Sequence, residues 1–202
     1  MSAELAFGIL TFATVTLFTP GPNNLMLMAS GLNYGFSRTL PHAAGVALGF
    51  GFMNVAIGLG LGAFFASYPG FYGVLKYLGA AYLLFLAWKI ATAGAITRTG
   101  SRSGRPMTFL QAVAFQWVNP KAWAMALVAI TTYAAVAAFP ANVGLIAGSF
   151  TAIGILSAWT WVLFGLGLKR LIAGPRAVRV VNGVMALLLV TSLYPVFAGA
   201  GG

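Results

Sequence analysis

The chain has 202 residues, 60% of them hydrophobic and only 6% charged, and its mean hydropathy is +0.94. A soluble domain carries roughly 25% charged residues, so a water-coated globule is excluded, and the same apolar content excludes a disordered chain. Eleven Lys and Arg face a single acid, Glu4, for a net charge of +10, and there is no Cys, which removes a disulfide framework and thiol chemistry.

What remains is an integral membrane protein. A helical span takes about 20 apolar residues, so this length holds about six spans and no separate soluble domain. The apolar runs are long and continuous, without the alternation of a β-barrel. Met1-Ser-Ala-Glu4 lacks Lys and Arg, so the first apolar stretch is expected to stay as a span and not to be cleaved as a signal peptide.

In chain order, the first helix is expected from about Leu5 to Ala29, broken at Thr19-Pro-Gly-Pro-Asn-Asn24. The second is expected over Leu40–Ala66 and the third over Gly70–Ala91. A polar stretch, Thr97 to Pro106, follows, and residues 97–107 read as a basic cytoplasmic loop. The fourth helix is expected over Thr108–Tyr133, the fifth over Ala141–Leu168 and the sixth over Ala177–Phe197.

Cations sort by loop. Arg38 lies in the first loop, Lys89, Arg98, Arg102 and Arg105 at the third, and Lys169, Arg170, Arg176 and Arg179 after the fifth helix. Only Lys76 is near the second and fourth loops. The positive-inside rule then puts the odd loops in the cytoplasm and both termini outside. Topology explains these cations without nucleic acid as a partner; anionic lipid is the other reading. Tyr68, Tyr72, Trp88 and Tyr133 suit interfacial anchors.

The two halves echo each other. Pro22 with the residues after it resembles Pro120 with the residues after it. Gly45-Val-Ala-Leu-Gly49 matches Gly144-Leu-Ile-Ala-Gly148, and Gly79 with Leu83-Leu84 matches Gly183 with Leu187-Leu188. Three spans per half force the halves, residues 1–96 and 108–202, to lie inverted in the bilayer. Inverted repeats with interrupted helices mark transporters whose site lies near the midplane. The expected fold is therefore all-α, with six transmembrane helices in two inverted three-helix repeats, the first and fourth broken at Pro near the midplane. By the helical rise, Pro20 lies about 22 Å from the outer end of its span and Pro120 about 18–20 Å from the cytoplasmic end of its own.

A proline removes a backbone donor, and freed carbonyls must face protein or a wet cavity. Asn119 can cap a new half-helix with Pro120 at its first position, and Gly21 or Thr19 can do so before Pro22 or Pro20. Half-helix amino ends bind carboxylates, and Lys121 adds a full charge beside one of them. The candidate binding residues are Pro20, Gly21, Pro22, Asn23, Asn24, Gln116, Asn119, Pro120 and Lys121. The plainer reading is a pair of packing kinks, with Lys121 snorkelling or bonding freed carbonyls. The only His, His42, reads as an interfacial polar residue or as a proton carrier. Asn54, Thr14 and Asn182 are polar residues that bond neighbouring helices or face a cavity. The Gly45/Gly49 and Gly58/Gly62 pairs suit close helix approach.

At these residues the sequence resembles the LysE/RhtB family of bacterial amino-acid exporters. The likeness runs through Thr19-Pro-Gly-Pro-Asn-Asn24, Ser30-Gly31, Gly35-Phe36, Arg38 and Gly45-Val-Ala-Leu-Gly-Phe50. It continues through Tyr77-Leu-Gly-Ala-Ala-Tyr82, Ala87-Trp-Lys89 and Phe115-Gln-Trp-Val-Asn-Pro-Lys-Ala-Trp123. Within the family, Pro-Gly-Pro-Asn-Asn and Trp-Lys-Ile-Ala most resemble the branch exporting cysteine and O-acetylserine. The resemblance implies efflux of a small neutral amino acid or metabolite across the inner membrane by proton antiport. Many members carry Asp where this chain has Asn23, so an obvious buried proton carrier is missing. No cofactor is expected. An enzyme would need more than one acid, one His and no Cys; a pore-forming channel is the competing class. Partners expected are the amino-acid substrate and the bilayer, with a homodimer through the glycine faces as an option.

Overall fold

The computed structural model describes residues 3–93, 104–172 and 174–194, without the side chains of residues 65, 66, 69, 72 and 76. Arg98, Arg102 and most of the 97–107 loop lie outside the described residues, as do the side chains of Tyr72 and Lys76. All regular structure among the described residues is helical.

Helix α1 (Ala3–Phe18) stops because Pro20 and Pro22 have no N–H to offer the carbonyls of Thr16 and Phe18. Helix α2 (Pro22–Tyr34) begins with Pro at its first turn, after an extended Gly21. The two are bent by 54°. Gly35, at φ +83°, ends α2 and returns its N–H to the Gly31 carbonyl; only glycine adopts that φ easily. Helix α3 (Phe36–Ala56) runs through a π-helical turn, Ile57–Leu61, into α4 (Gly62–Ser67). The kink falls at Gly60, φ +121°. Helix α5 (Pro69–Thr92) opens on a proline.

Helix α6 (Phe109–Gln116) starts from a capping box in which Gln111 N–H donates to Thr108 Oγ1 (3.3 Å) and Thr108 N–H to Gln111 Oε1 (3.0 Å). Helix α7 (Pro120–Thr132) follows after three residues, then a 3₁₀ turn, α8 (Ala141–Leu171) and α9 (Gly174–Thr191). Helix α9 starts before the expected Ala177 because Pro175 suits a first turn. It stops at Thr191, and the expected end at Phe197 lies outside the described residues.

Helix α8 is the centre of the bundle, packed against α1, α2 and α3; α3 also packs on α6, and α5 on α9. Lipid offers no hydrophobic drive between helices, so close packing must hold them. Glycines supply it where α2 crosses α8: a Cβ on Gly31 would overlap the Val162 carbonyl, and one on Gly165 would overlap the Met28 carbonyl. Phe50, Trp123, Ile146 and Phe150 fill one core between α3, α7 and α8, and Leu25, Leu83, Met185 and Leu189 fill another between α2, α5 and α9. Outside, large apolar side chains such as Phe7, Leu110 and Leu187 are exposed, as a lipid-facing surface requires.

Four helical stretches among the described residues are long and apolar enough to cross a membrane: Phe36–Phe64, Gly73–Thr92, Ala141–Leu171 and Gly174–Thr191. The bent pair α1 and α2 counts as a fifth. Helices α6 and α7 have 8 and 13 residues, or about 12 and 20 Å, each shorter than a core of about 30 Å. A sixth span needs the two together.

Candidate functional site at the paired helix breaks

A cavity opens where α1 gives way to α2 and α6 to α7. Gly21, Asn23, Asn24, Asn119 and Lys121 line it, joined by Thr16 and Leu17 of α1, Phe50 of α3 and Ser157 of α8. Five of the nine binding residues expected from sequence thus meet in one place. Pro20, Pro22 and Pro120 are not among its lining residues; they act through the backbone that they interrupt.

The end of α1 is held by side chains from three other helices. Asn24 Nδ2 donates to the carbonyls of Leu17 and Thr19, both at 2.8 Å. Ser157 Oγ donates to the Leu17 carbonyl at 2.7 Å, and Lys121 Nζ to the Thr19 carbonyl at 2.7 Å. A carbonyl oxygen has two lone pairs, so both acceptors are filled. Gly21 makes room for the lysine: a Cβ there would lie 2.8 Å from Lys121 Cδ. Thr19 also turns its hydroxyl onto the Val15 carbonyl.

Asn23 and Gln116 pair their amides face to face, Asn23 Nδ2 donating to Gln116 Oε1 at 2.8 Å and Gln116 Nε2 to Asn23 Oδ1 at 3.2 Å. Gln116 is fully buried and also donates to the Ala112 carbonyl at 2.9 Å. Gln116 is therefore behind the cavity, fixing Asn23. Asn119 caps α7, its Oδ1 accepting from Lys121 N–H at 3.2 Å. Helix α2 has no side-chain cap at all. Two helix amino ends and one ammonium converge here, and the one acid of the chain, Glu4, is in the first turn of α1. Helix amino ends carry about half a positive charge each. The arrangement can hold an anionic group, above all a carboxylate.

His42 lies elsewhere. It is 1% exposed, and its Nδ1 is 3.0 Å from Ser30 Oγ. The interfacial reading is corrected: Pro41 takes the outward position on α3 and the next residue, about 100° round the helix, turns inward. Tyr133 is half-buried, and its hydroxyl donates to the Gly8 carbonyl at 3.1 Å, tying the end of α7 to α1. Tyr68 and Trp88 are exposed, as anchors would be. Thr14 and Asn54 bond the preceding turn of their own helices, whereas Asn182 bonds Asn33 across to α2. Sequence reasoning missed Ser157, a small hydroxyl in an apolar run whose spacing does not say what it faces.

The family model of the LysE type translocators matches residues 14–192. The chain belongs to this family. It is 31% identical to the cysteine/O-acetylserine efflux protein of Escherichia coli (strain K12), over 98% of this chain and the whole of that protein. The protein of the same name from Shigella sonnei (strain Ss046) matches equally, and that from Escherichia coli O139:H28 is 30% identical over the same extent. No solved structure matches. A LysE type translocator built from these apolar helices is a multi-pass membrane protein.

Proposed function

We propose that this translocator exports a small neutral amino acid or a related metabolite across the bacterial inner membrane. Cysteine, O-acetylserine, homoserine, threonine and leucine-like solutes are the candidates. The observation that carries the reading is the convergence of the α2 and α7 amino ends and Lys121 on one cavity without a carboxylate. The cargo carboxylate takes the uncapped α2 amino end and Lys121, with Asn23, Asn24 and Asn119 around it. Lys121 now holds the Thr19 carbonyl, so cargo binding exchanges one partner of the lysine for another. The relatives' names, cysteine/O-acetylserine efflux, support the cargo class.

The cargo ammonium needs an acceptor. Of the carbonyls at the end of α1, those of Leu17 and Thr19 are filled. The Thr16 carbonyl, deprived of its helical donor by Pro20, is the better partner, and Thr16 lines the cavity. A second cationic group on the cargo would find no carboxylate, which disfavours lysine and arginine.

In this reading α6 and α7 together make the sixth span, the two halves are inverted repeats, and both termini face outward. Proton antiport is the coupling, with His42 the candidate carrier. The test is efflux from proteoliposomes preloaded with labelled neutral amino acids and O-acetylserine, with and without a pH gradient. Saturable efflux of one of them, speeded by the gradient, is expected. Non-saturable flux of many solutes would point to a channel, and gradient-independent efflux would remove the antiport.

A further inference from the structure

A second cavity lies apart from the cargo site at the helix breaks. It lies against another face of α2: Asn23, Asn24 and Leu27 line the first cavity, whereas Met26, Ser30 and Asn33 line the second. Its other walls are His42 of α3, the last turns of α5 with Lys89, and Arg105 and Met107 before α6. Along α2 the two linings overlap, since Met26 of the second precedes Leu27 of the first, and their centres are about 9 Å apart by the helical rise.

Three observations point to a ligand. First, Lys89 and Arg105 have no acidic side chain to meet except Glu4, which stands in the first turn of α1. The Lys89 ammonium lies over the Phe85 ring, 5.7 Å from its centroid. Second, His42 is buried with Nε2 lacking any partner, while Nδ1 is taken by Ser30. Whichever ring nitrogen carries the proton, Nε2 is left without a hydrogen-bond partner. Third, the floor is a hydrogen-bonded polar cluster. Asn33 and Asn182 exchange hydrogen bonds at 2.9 and 3.0 Å, and Asn182 donates to the Ala93 carbonyl at 2.8 Å. Helices α2 and α5 both end here, at Tyr34 and Thr92, and helix carboxyl ends suit a cation.

We propose that this cavity is a second binding site, for a small α-amino acid zwitterion, with the carboxylate toward Lys89 and Arg105 and the ammonium toward the carboxyl ends of α2 and α5. It serves as a staging site between the cation-rich end of the bundle and the cavity at the helix breaks. The exporter reading supplies only the identity of the cargo; the site itself stands on the residues above.

The natural chain has no Cys, so one introduced thiol is a unique reporter. Ser30→Cys places it on the wall, and Met107→Cys places it beside Arg105 if the first variant does not fold. In phosphatidylcholine nanodiscs, an anionic sulfonatoethyl methanethiosulfonate is expected to modify the thiol about tenfold faster than its trimethylammonioethyl counterpart. Both rates are first scaled to a free thiol. Lys89→Gln with Arg105→Gln should bring the ratio to about one. L-Serine should slow the reaction, and ethanolamine, which lacks the carboxylate, should not. Equal rates for the two reagents, no labelling of either variant, or equal protection by ethanolamine would each overturn the proposal. So would protection that needs phosphatidylglycerol in the nanodisc, which would assign the cations to a lipid phosphate. The readout needs no transport, so carboxylate protection would be seen even if the efflux panel failed.

Discussion

At the α1–α2 break the chain bends by 54° and the last carbonyls of α1 are held by side chains from α2, α7 and α8. The α6–α7 break closes on itself: Asn119 caps the new helix, and Trp123 Nε1 donates to the Trp117 carbonyl at 2.8 Å. One break is a local turn that one asparagine can stabilise. The other is held by donors from α2 and from the distant helices α7 and α8, so any movement of those helices is felt there. Lys121 joins them, rooted in the first turn of α7 but spending its charge on the end of α1.

Four substitutions would break or sharpen this contrast. Lys121→Met should have the largest effect, because a charged hydrogen bond of about 1.5–3 kcal/mol is lost. Efflux at equal membrane abundance should fall by about 10- to 100-fold, with Lys121→Arg retaining part of it. Asn24→Ala should come next: it strips one donor from each of two carbonyls, costing about 1–3 kcal/mol, visible as a lower melting temperature in detergent. Gly165→Ala should cost a similar 1–3 kcal/mol by overpacking α8 against the Met28 carbonyl, and it tests whether α8 must lie that close to keep Ser157 on Leu17. Asn119→Ala should be mildest, losing a cap of about 1 kcal/mol, with Asn119→Asp near wild type in the same melting assay. If Asn119→Ala proved worse than Asn24→Ala, the self-contained character of the second break would be wrong.

Much of this could be read from the residues. Pro20, Pro22 and Pro120 have no N–H, so the interruption of both helices is a matter of covalent structure, and α8 begins at the expected Ala141. The meeting of Gly21, Asn23, Asn24, Asn119 and Lys121 followed from placing two amino ends opposite each other. The direction of individual side chains did not. Nothing in the sequence says that Lys121 crosses to Thr19, that Ser157 reaches Leu17, or that Gln116 stands behind Asn23, because these are bonds between helices far apart in the chain. Nor does glycine spacing reveal its use. Gly45, Gly49 and Gly79 are pressed against α6 or the turn after it, whereas their counterparts Gly144, Gly148 and Gly183 have open space where a Cβ would go. A repeat in sequence is here not a repeat in packing.

The most direct test is equilibrium binding of the exported solute, labelled, to the purified chain and to Lys121→Met, both in nanodiscs. The dissociation constant should rise at least about tenfold in the variant, equivalent to about 1.4 kcal/mol, while an amine analogue without the carboxylate should bind both equally weakly. An unchanged constant in Lys121→Met protein of native stability would contradict the assignment of the carboxylate to the paired breaks.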